Sequence, residues 1–203
     1  ALSKYKDNIH HVLTRHEQGA THMADGYART SGKVGVAMAT SGPGAANMVT
    51  GLATAMMDSV PIVCITGQVP RPAIGSDAFQ EMDISGAVIP VTKHSYLVMD
   101  IRNLAQTIKE AFAIARSGRP GPVLIDIPKD VQAEEYDFIY PEEPVKLPGK
   151  NPLDKEIDKK SLGDAADLIA NAKRPVILAG HGRLLSGASK EVIELSEKGN
   201  IPS

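Results

Sequence analysis

The sequence contains no tryptophan and a single cysteine, Cys64. One thiol makes no internal disulfide and supports no cysteine-based zinc site. With only 5 Tyr and 3 Phe, the apolar interior falls to Ala, Val, Ile, Leu and Met, which suits helices lying close against a sheet. The 22 basic and 24 acidic residues leave a formal charge of −2. No basic cluster stands out, which argues against a nucleic-acid partner. No apolar run approaches the ~18 residues a membrane-spanning helix needs, and no charged-then-apolar signal opens the chain. The expectation is a soluble, cytoplasmic protein with no membrane partner. What remains is ordinary: 203 residues, 42% hydrophobic and 23% charged, enough for one domain and part of another, or for two small ones.

Short β-branched runs alternate with helical periodicity. Residues 11–14 (His-Val-Leu-Thr) read as a strand. A helix follows from about Glu17, with Ala20, Met23, Ala24, Tyr27 and Ala28 on one face, and Gly32 stops it. The run 34–40 is a nearly all-apolar strand, as expected where both faces are covered. Ser41-Gly42-Pro43-Gly44 turns into a second helix with Ala45, Val49, Leu52, Ala53 and Met56 inward, and 61–66 is a third strand. From Gly67 to about Pro90 the chain is irregular and rich in Gly, Pro and Asp, and loops that long usually carry function. A helix near 101–116 and a strand at 122–127 resume the pattern. Repeated strand–helix–strand units predict an α/β fold with a mostly parallel, doubly wound sheet. Prolines 128, 141, 144, 148 and 152 among charges mark a linker. A helix near Lys160, a strand at 176–179 and a helix near 188–198 then begin a second α/β unit. The opening residues 1–6 resemble the tail of a helix. Both termini are therefore expected to be cuts in a longer chain.

Several chemical motifs are approached and missed. Gly42-x-Gly44 lacks the third small residue and the later acid of a dinucleotide fingerprint, so it reads as a tight turn. Gly180-His181-Gly182 is no stronger. Ser41 fails the spacing of a nucleophile elbow. His16-Glu17 and His22 are six apart rather than four, which puts the histidines on different helix faces and leaves no metal site. Cys64, inside an apolar run, reads as packing. Lys93 and His94, taken alone, read as solvated surface. Phe79-Gln80, a hydrophobe beside a neutral hydrogen bonder in the long loop, suits either a pocket or packing. Glu17 carries two readings. It is an acid in a first helical turn, favoured there by the helix dipole. It also follows an apolar run at the end of the sheet where ligands bind; apolar neighbours there would raise its pKa and let it exchange a proton near neutrality.

Five segments together resemble the catalytic large subunit of acetolactate synthases, which are thiamine-diphosphate enzymes. They are RHEQGATHMADGYARTSGKVGV (15–36), TSGPGAANMVTGLATAMMDSVPIVCITGQVP (40–70), IGSDAFQEMDI (74–84), VTKHSYLV (91–98) and SGRPGPVLIDIPKDVQ (117–132). The first two are shared across the superfamily; the third and fourth are more particular to this family.

The resemblance implies that residues 1–130 are a pyrimidine-binding domain lacking its first strand–helix unit. Residues 131–158 would be a linker, and 159–203 the beginning of a central flavin-binding-type domain. It implies catalytic roles for Glu17 and Gln80, with Glu17, Pro43, Gly44 and Asn47 at the cofactor. Phe79, Lys93 and Pro70 fall at the substrate channel, and Gly180 and Gly182 near a flavin. Relatives commonly carry an arginine before the Pro-Val-Thr-Lys stretch, where this chain has Ile89, so contact between this domain and FAD is weakened. Mg²⁺ would be held by residues outside this segment. The implied activity is decarboxylation of pyruvate and addition to a second 2-oxo acid, pyruvate or 2-oxobutanoate, for branched-chain amino-acid synthesis. The implied assembly is a homodimer or larger, with a regulatory small subunit. Without the magnesium–diphosphate motif, this chain alone is expected to be inactive. The alternatives are another thiamine-diphosphate carboligase or pyruvate oxidase, and a non-catalytic nucleotide-binding module.

Overall fold

A computed structural model describes Tyr5, residues 7–147 and residues 157–203. The expected helix tail at 1–6, Tyr5 apart, and the linker prolines Pro148 and Pro152 lie outside the described residues. The chain divides into two compact units, Ala1–Leu153 and Asp154–Ser203.

In the first unit the order is α1 (Glu17–Ser31), β1 (Gly35–Ala39), α2 (Pro43–Ala46), α3 (Val49–Met57) and β2 (Ile62–Gln68), then α4 (Ile84–Ala87), β3 (His94–Leu97), α5 (Ile101–Arg116), β4 (Val123–Pro128) and α6 (Lys129–Ala133). The four strands pair in parallel in the order β1-β2-β4-β3. Side chains alternate across the sheet. Ile62, Cys64 and Leu124 face a cluster with Ala24, Ala28, Met48 and Leu52 of the α1–α3 layer. Val63, Val123 and Ile125 face Ala111 and Ala115 of α5. The central strands β2 and β4 are covered on both sides, and the α/β doubly wound expectation holds. Cys64 is fully buried in this packing, and burial pushes its thiol up to about 12, which keeps it protonated and inert.

Small residues set the close approaches. A Cβ on Gly35 would lie 2.1 Å from the Ala24 carbonyl oxygen, and one on Gly51 would lie 2.0 Å from Thr21 Oγ1. Helix α1 therefore lies directly on β1 and α3. This contact rotates its buried face: Thr21, Ala24, Asp25 and Ala28 point inward, whereas Met23 and Tyr27, expected inside, are each 51% exposed. Asp25 tolerates its position by accepting from Arg29 Nε at 2.7 Å. Gly32 ends the helix in a left-handed conformation (φ 68°), as expected.

Four further local expectations change. Residues 11–14 form no strand; Leu13 is 85% exposed, and an apolar run becomes a strand only where a neighbour takes its hydrogen bonds. The single helix expected after Gly44 is two short ones, broken at Asn47 and Met48. Val36 and Met38 on β1 remain exposed because α5 covers the other strands and not this edge. Strand β3 lies in a stretch with no strand expectation; its mixed sequence, His-Ser-Tyr-Leu, suits a half-solvated edge.

The second unit carries α7 (Lys159–Asn171), α8 (Gly182–Leu185) and α9 (Ser189–Gly199). The expected strand at 176–179 does not form. Its one backbone bond to the end of the chain is Ile177 N–H to Pro202 O at 2.9 Å, and Leu178 is 99% exposed. No helix among the described residues is long and apolar enough to cross a membrane.

Candidate active site at the carboxyl edge of the sheet

The first unit gathers its chemistry where the strands end. His16 caps α1, its Nδ1 accepting from the Gln18 N–H at 3.1 Å, and this places Glu17 in the first turn. Asn47, just past α2, donates from Nδ2 to Glu17 Oε2 at 3.0 Å. A Cβ on Gly44 would meet Thr40 Cγ2 at 2.8 Å and Glu17 Oε1 at 3.4 Å. The wall beside Oε1 is therefore bare backbone, and no side chain among the described residues donates to that oxygen.

The Glu17 carboxyl is partly exposed, and its pKa lies below the ordinary glutamate value. The Asn47 hydrogen bond is the main cause and its own backbone N–H the next, together outweighing desolvation. This corrects the expectation of a carboxyl raised by apolar neighbours: the residues expected to form a dry strand ahead of it, 11–14, are solvated instead. The stabilisation from this bond is present above the ordinary value and is lost as pH falls through the depressed one.

The long loop comes to the same place. Gly42 takes φ 61° and ψ −116°, and a Cβ on it would lie 2.6 Å from the Gln80 carbonyl oxygen and 2.9 Å from Gln80 Cα. The turn after β1 is thus stacked on the backbone of Gln80, which itself has φ +63°. Glu81 accepts from the Gly75 N–H and from the Ala78 N–H (2.9 Å), closing the loop on itself; these backbone donors hold its carboxyl below the ordinary value. Phe79 is 89% exposed.

Beneath the loop lies a buried polar cluster that sequence reading missed. Thr66 Oγ1 donates to Asp126 Oδ1 at 2.7 Å, and Gln68 Nε2 donates to Asp126 Oδ2 at 2.9 Å and to the Met82 carbonyl at 2.7 Å. The visible signal was an acid inside the apolar run Val-Leu-Ile-Asp-Ile. Burial pushes Asp126 up to about 6 from 3.8, against the Thr66 and Gln68 hydrogen bonds that favour its charged form. The folded chain therefore holds this proton more tightly than the unfolded one. The group's contribution to stability is complete below pH 4 and is lost as pH rises through 6. Asp126→Asn is expected to remove this slope, worth about 2 kcal/mol over the interval, from the difference between urea unfolding curves at pH 4.5 and 7.5. An unchanged difference would contradict the burial of a charge here.

A second missed residue is Arg71. Its backbone N–H and Nε both reach Asp130 (3.0 and 2.6 Å), and its guanidinium also reaches Glu134 and the Met99 carbonyl. Arg71 ties the start of the loop to α6.

The structure brings Glu17, Gly44, Asn47 and Gln80 together. Pro43 is exposed in the first turn of α2. Pro70 opens the loop, its carbonyl accepting from Ala73 N–H at 2.8 Å. Lys93 lies at the end of α5, where its ammonium donates to the Ile114 and Ser117 carbonyls. Gly180 and Gly182 belong to the second unit, before and within the short α8. Among the described residues no group of three His, Cys, Asp or Glu side chains is arranged to hold a metal ion.

Residues 1–87 match the family model described as "Thiamine pyrophosphate enzyme, N-terminal TPP binding domain", and residues 162–203 match "Thiamine pyrophosphate enzyme, central domain". The chain thus matches thiamine pyrophosphate enzymes in two stretches, and its parallel α/β sheet is consistent with the first of these domains. Its similarity to acetolactate synthases runs over nearly its whole length. It is 55% identical over 196 residues to an acetolactate synthase of Arthrospira platensis, covering 96% of this chain and 34% of that protein. It is 51% identical over 199 residues to an acetolactate synthase large subunit of Parasynechococcus marenigrum (96% and 31%). It is 52% identical over 209 residues to a probable acetolactate synthase large subunit of Methanococcus aeolicus (100% and 35%). The chain is thus homologous to acetolactate synthase large subunits and spans about a third of their length.

Proposed function

We propose that this chain is the pyrimidine-binding part of an acetolactate synthase large subunit, with residues 131–158 as a linker and 159–203 beginning a flavin-binding-type domain. The full-length protein converts pyruvate and a second 2-oxo acid, pyruvate or 2-oxobutanoate, into acetohydroxy acids in branched-chain amino-acid synthesis. The observation that carries the reading is Glu17, fixed by Asn47 and backed by the turn stacked on Gln80.

The residues present fit thiamine diphosphate. One carboxylate oxygen is fixed by Asn47, and the other is open beside a glycine whose Cβ would fill the space. When bound, thiamine diphosphate supplies the carbon that attacks the 2-oxo acid and takes up the electron pair released on decarboxylation. Glu17 gives and retakes a proton at Oε1, while Asn47 sets the plane of its carboxyl. Covering Glu17 from water reverses the balance that now keeps its proton affinity low. Pro43 and Gly44 form the wall on the ring's side. Gln80 offers its amide to the 2-oxo acid, and Phe79 excludes water beside it. Pro70 and Lys93 are assigned to the substrate channel by the family resemblance; within this chain the Lys93 ammonium rests on the Ile114 and Ser117 carbonyls, beside the amino ends of β3 and β4.

The same reading assigns Mg²⁺ to residues outside this chain and FAD to a site near Gly180 and Gly182. It places a homodimer or larger assembly, with a regulatory small subunit, in the cytoplasm. The homologues do not favour another carboligase, a pyruvate oxidase or a non-catalytic nucleotide-binding module. The test is turnover by the full-length protein with thiamine diphosphate and Mg²⁺, on pyruvate alone and on pyruvate with 2-oxobutanoate. An acetohydroxy acid is expected from both; its absence from both overturns the reading.

A further inference from the structure

The exposed side chains of Phe79 and Gln80 do not hold the turn, and Gly42 packs on the Gln80 backbone alone. Phe79 is 89% exposed, Gln80 is exposed, and Gln80 has a left-handed backbone. A non-glycine residue keeps such a conformation only where its surroundings over-determine it, since the strain is about 1–3 kcal/mol. The Glu81 bonds to Gly75 and Ala78 lie within the loop and travel with it. Close after Gln80, the bond from the loop to the sheet is Gln68 Nε2 to the Met82 carbonyl at 2.7 Å.

Gln68 ends β2 and spends every polar group it has. Nε2 donates to Met82 O and to Asp126 Oδ2, and Oε1 accepts from the Val69 N–H at 2.9 Å. Thr66 fills the other Asp126 oxygen. Gln68 is 7% exposed, and Asp126 and Thr66 are each 1% exposed. A neutral amide is the group that can donate to a carbonyl and a carboxylate at once, and a buried network of this kind is stabilising only when complete.

We propose that Gln68 and Asp126 are positioning residues that latch Met82, and with it the Phe79–Gln80 turn, to the carboxyl ends of β2 and β4. Asp126 holds the amide of Gln68 in the one orientation that presents its second N–H to the loop. The role of Gln80 rests on the function proposed above; the latch itself does not.

A polarity swap separates the latch from a merely structural bond. Gln68→Glu places an acceptor against both the Met82 carbonyl and Asp126. Adding Asp126→Asn restores a hydrogen bond between positions 68 and 126, now donated from 126, but removes the donor from the sheet to the Met82 carbonyl, leaving it the local Ile84 N–H at 2.8 Å. In the full-length protein the double variant is expected to melt near the parent temperature. Its amides at 75–83 are expected to exchange about tenfold faster, the scale of one lost hydrogen bond, while α3 and α5 keep their protection. Its kcat on pyruvate falls more than its KM rises, with the affinity for thiamine diphosphate unchanged. Where Gln68→Glu alone does not fold, the double variant carries the test. Parent-level protection at 75–83 in the double variant overturns the latch. Faster exchange there, in a parent protein that never turned over pyruvate, upholds the latch and removes the proposed function.

Discussion

Glu17→Gln in the full-length protein is expected to slow hydrogen exchange at the reactive carbon of bound thiamine diphosphate by about 10²-fold or more, the usual scale for a lost acid–base group. The fold should not notice. Glu17 is partly exposed in the first turn of α1, and glutamine can still accept from Asn47 Nδ2 at the oxygen that now makes the 3.0 Å bond. What is lost is the proton carried at the other oxygen. Proton NMR of the cofactor in deuterated solvent reads this directly, with calorimetry confirming that the cofactor remains bound. Exchange at the parent rate would return Glu17 to the bland reading of an acid favoured by a helix dipole.

Gly42→Ala carries the second large effect. The position has φ 61° and ψ −116°, a region that side chains other than glycine's rarely adopt. The added Cβ would also lie 2.6–3.0 Å from the backbone of Gln80. Backbone does not swing aside as the end of a lysine would, so either the turn or the loop must shift. Strain of about 1–3 kcal/mol is expected in unfolding measurements. A loop displaced by about 1 Å is expected to lower kcat/KM for pyruvate by about 10²-fold. Parent-like kinetics in a folded Gly42→Ala protein would show that the stacking of Gly42 on Gln80 does not set the geometry of the site.

Both predictions concern residues in segments that the sequence already marked, yet neither contact was legible there. Helices α1 and α5, the strands at 35–39, 62–68 and 123–128, and the irregular loop were visible because periodicity and turn residues are local signals. Strand β3 was not, since a short half-polar edge carries no strong alternation. The runs at 11–14 and 176–179 misled for the converse reason: strand-forming composition needs a paired neighbour, and the described residues provide none. The motifs singled out Glu17, Gly44, Asn47 and Gln80, which the fold brings to the same edge of the sheet. The contacts that hold this edge join residues tens of positions apart, such as Glu17 with Asn47 and Gln68 with Asp126, and depend on the fold rather than on spacing. The protonation of Glu17 was misread because it depends on Asn47 and on water, neither of which is visible from neighbouring residue types.

The most direct test of Glu17 as the proton-holding group is the titration of its ¹³C-labelled carboxyl in the full-length protein, with and without thiamine diphosphate and Mg²⁺. Without the cofactor the carboxyl should titrate below the ordinary glutamate value, in keeping with the Asn47 hydrogen bond. With the cofactor bound it should move well above that value, as desolvation and a ring partner favour the protonated form. A titration that stays in place while the cofactor binds would contradict the account.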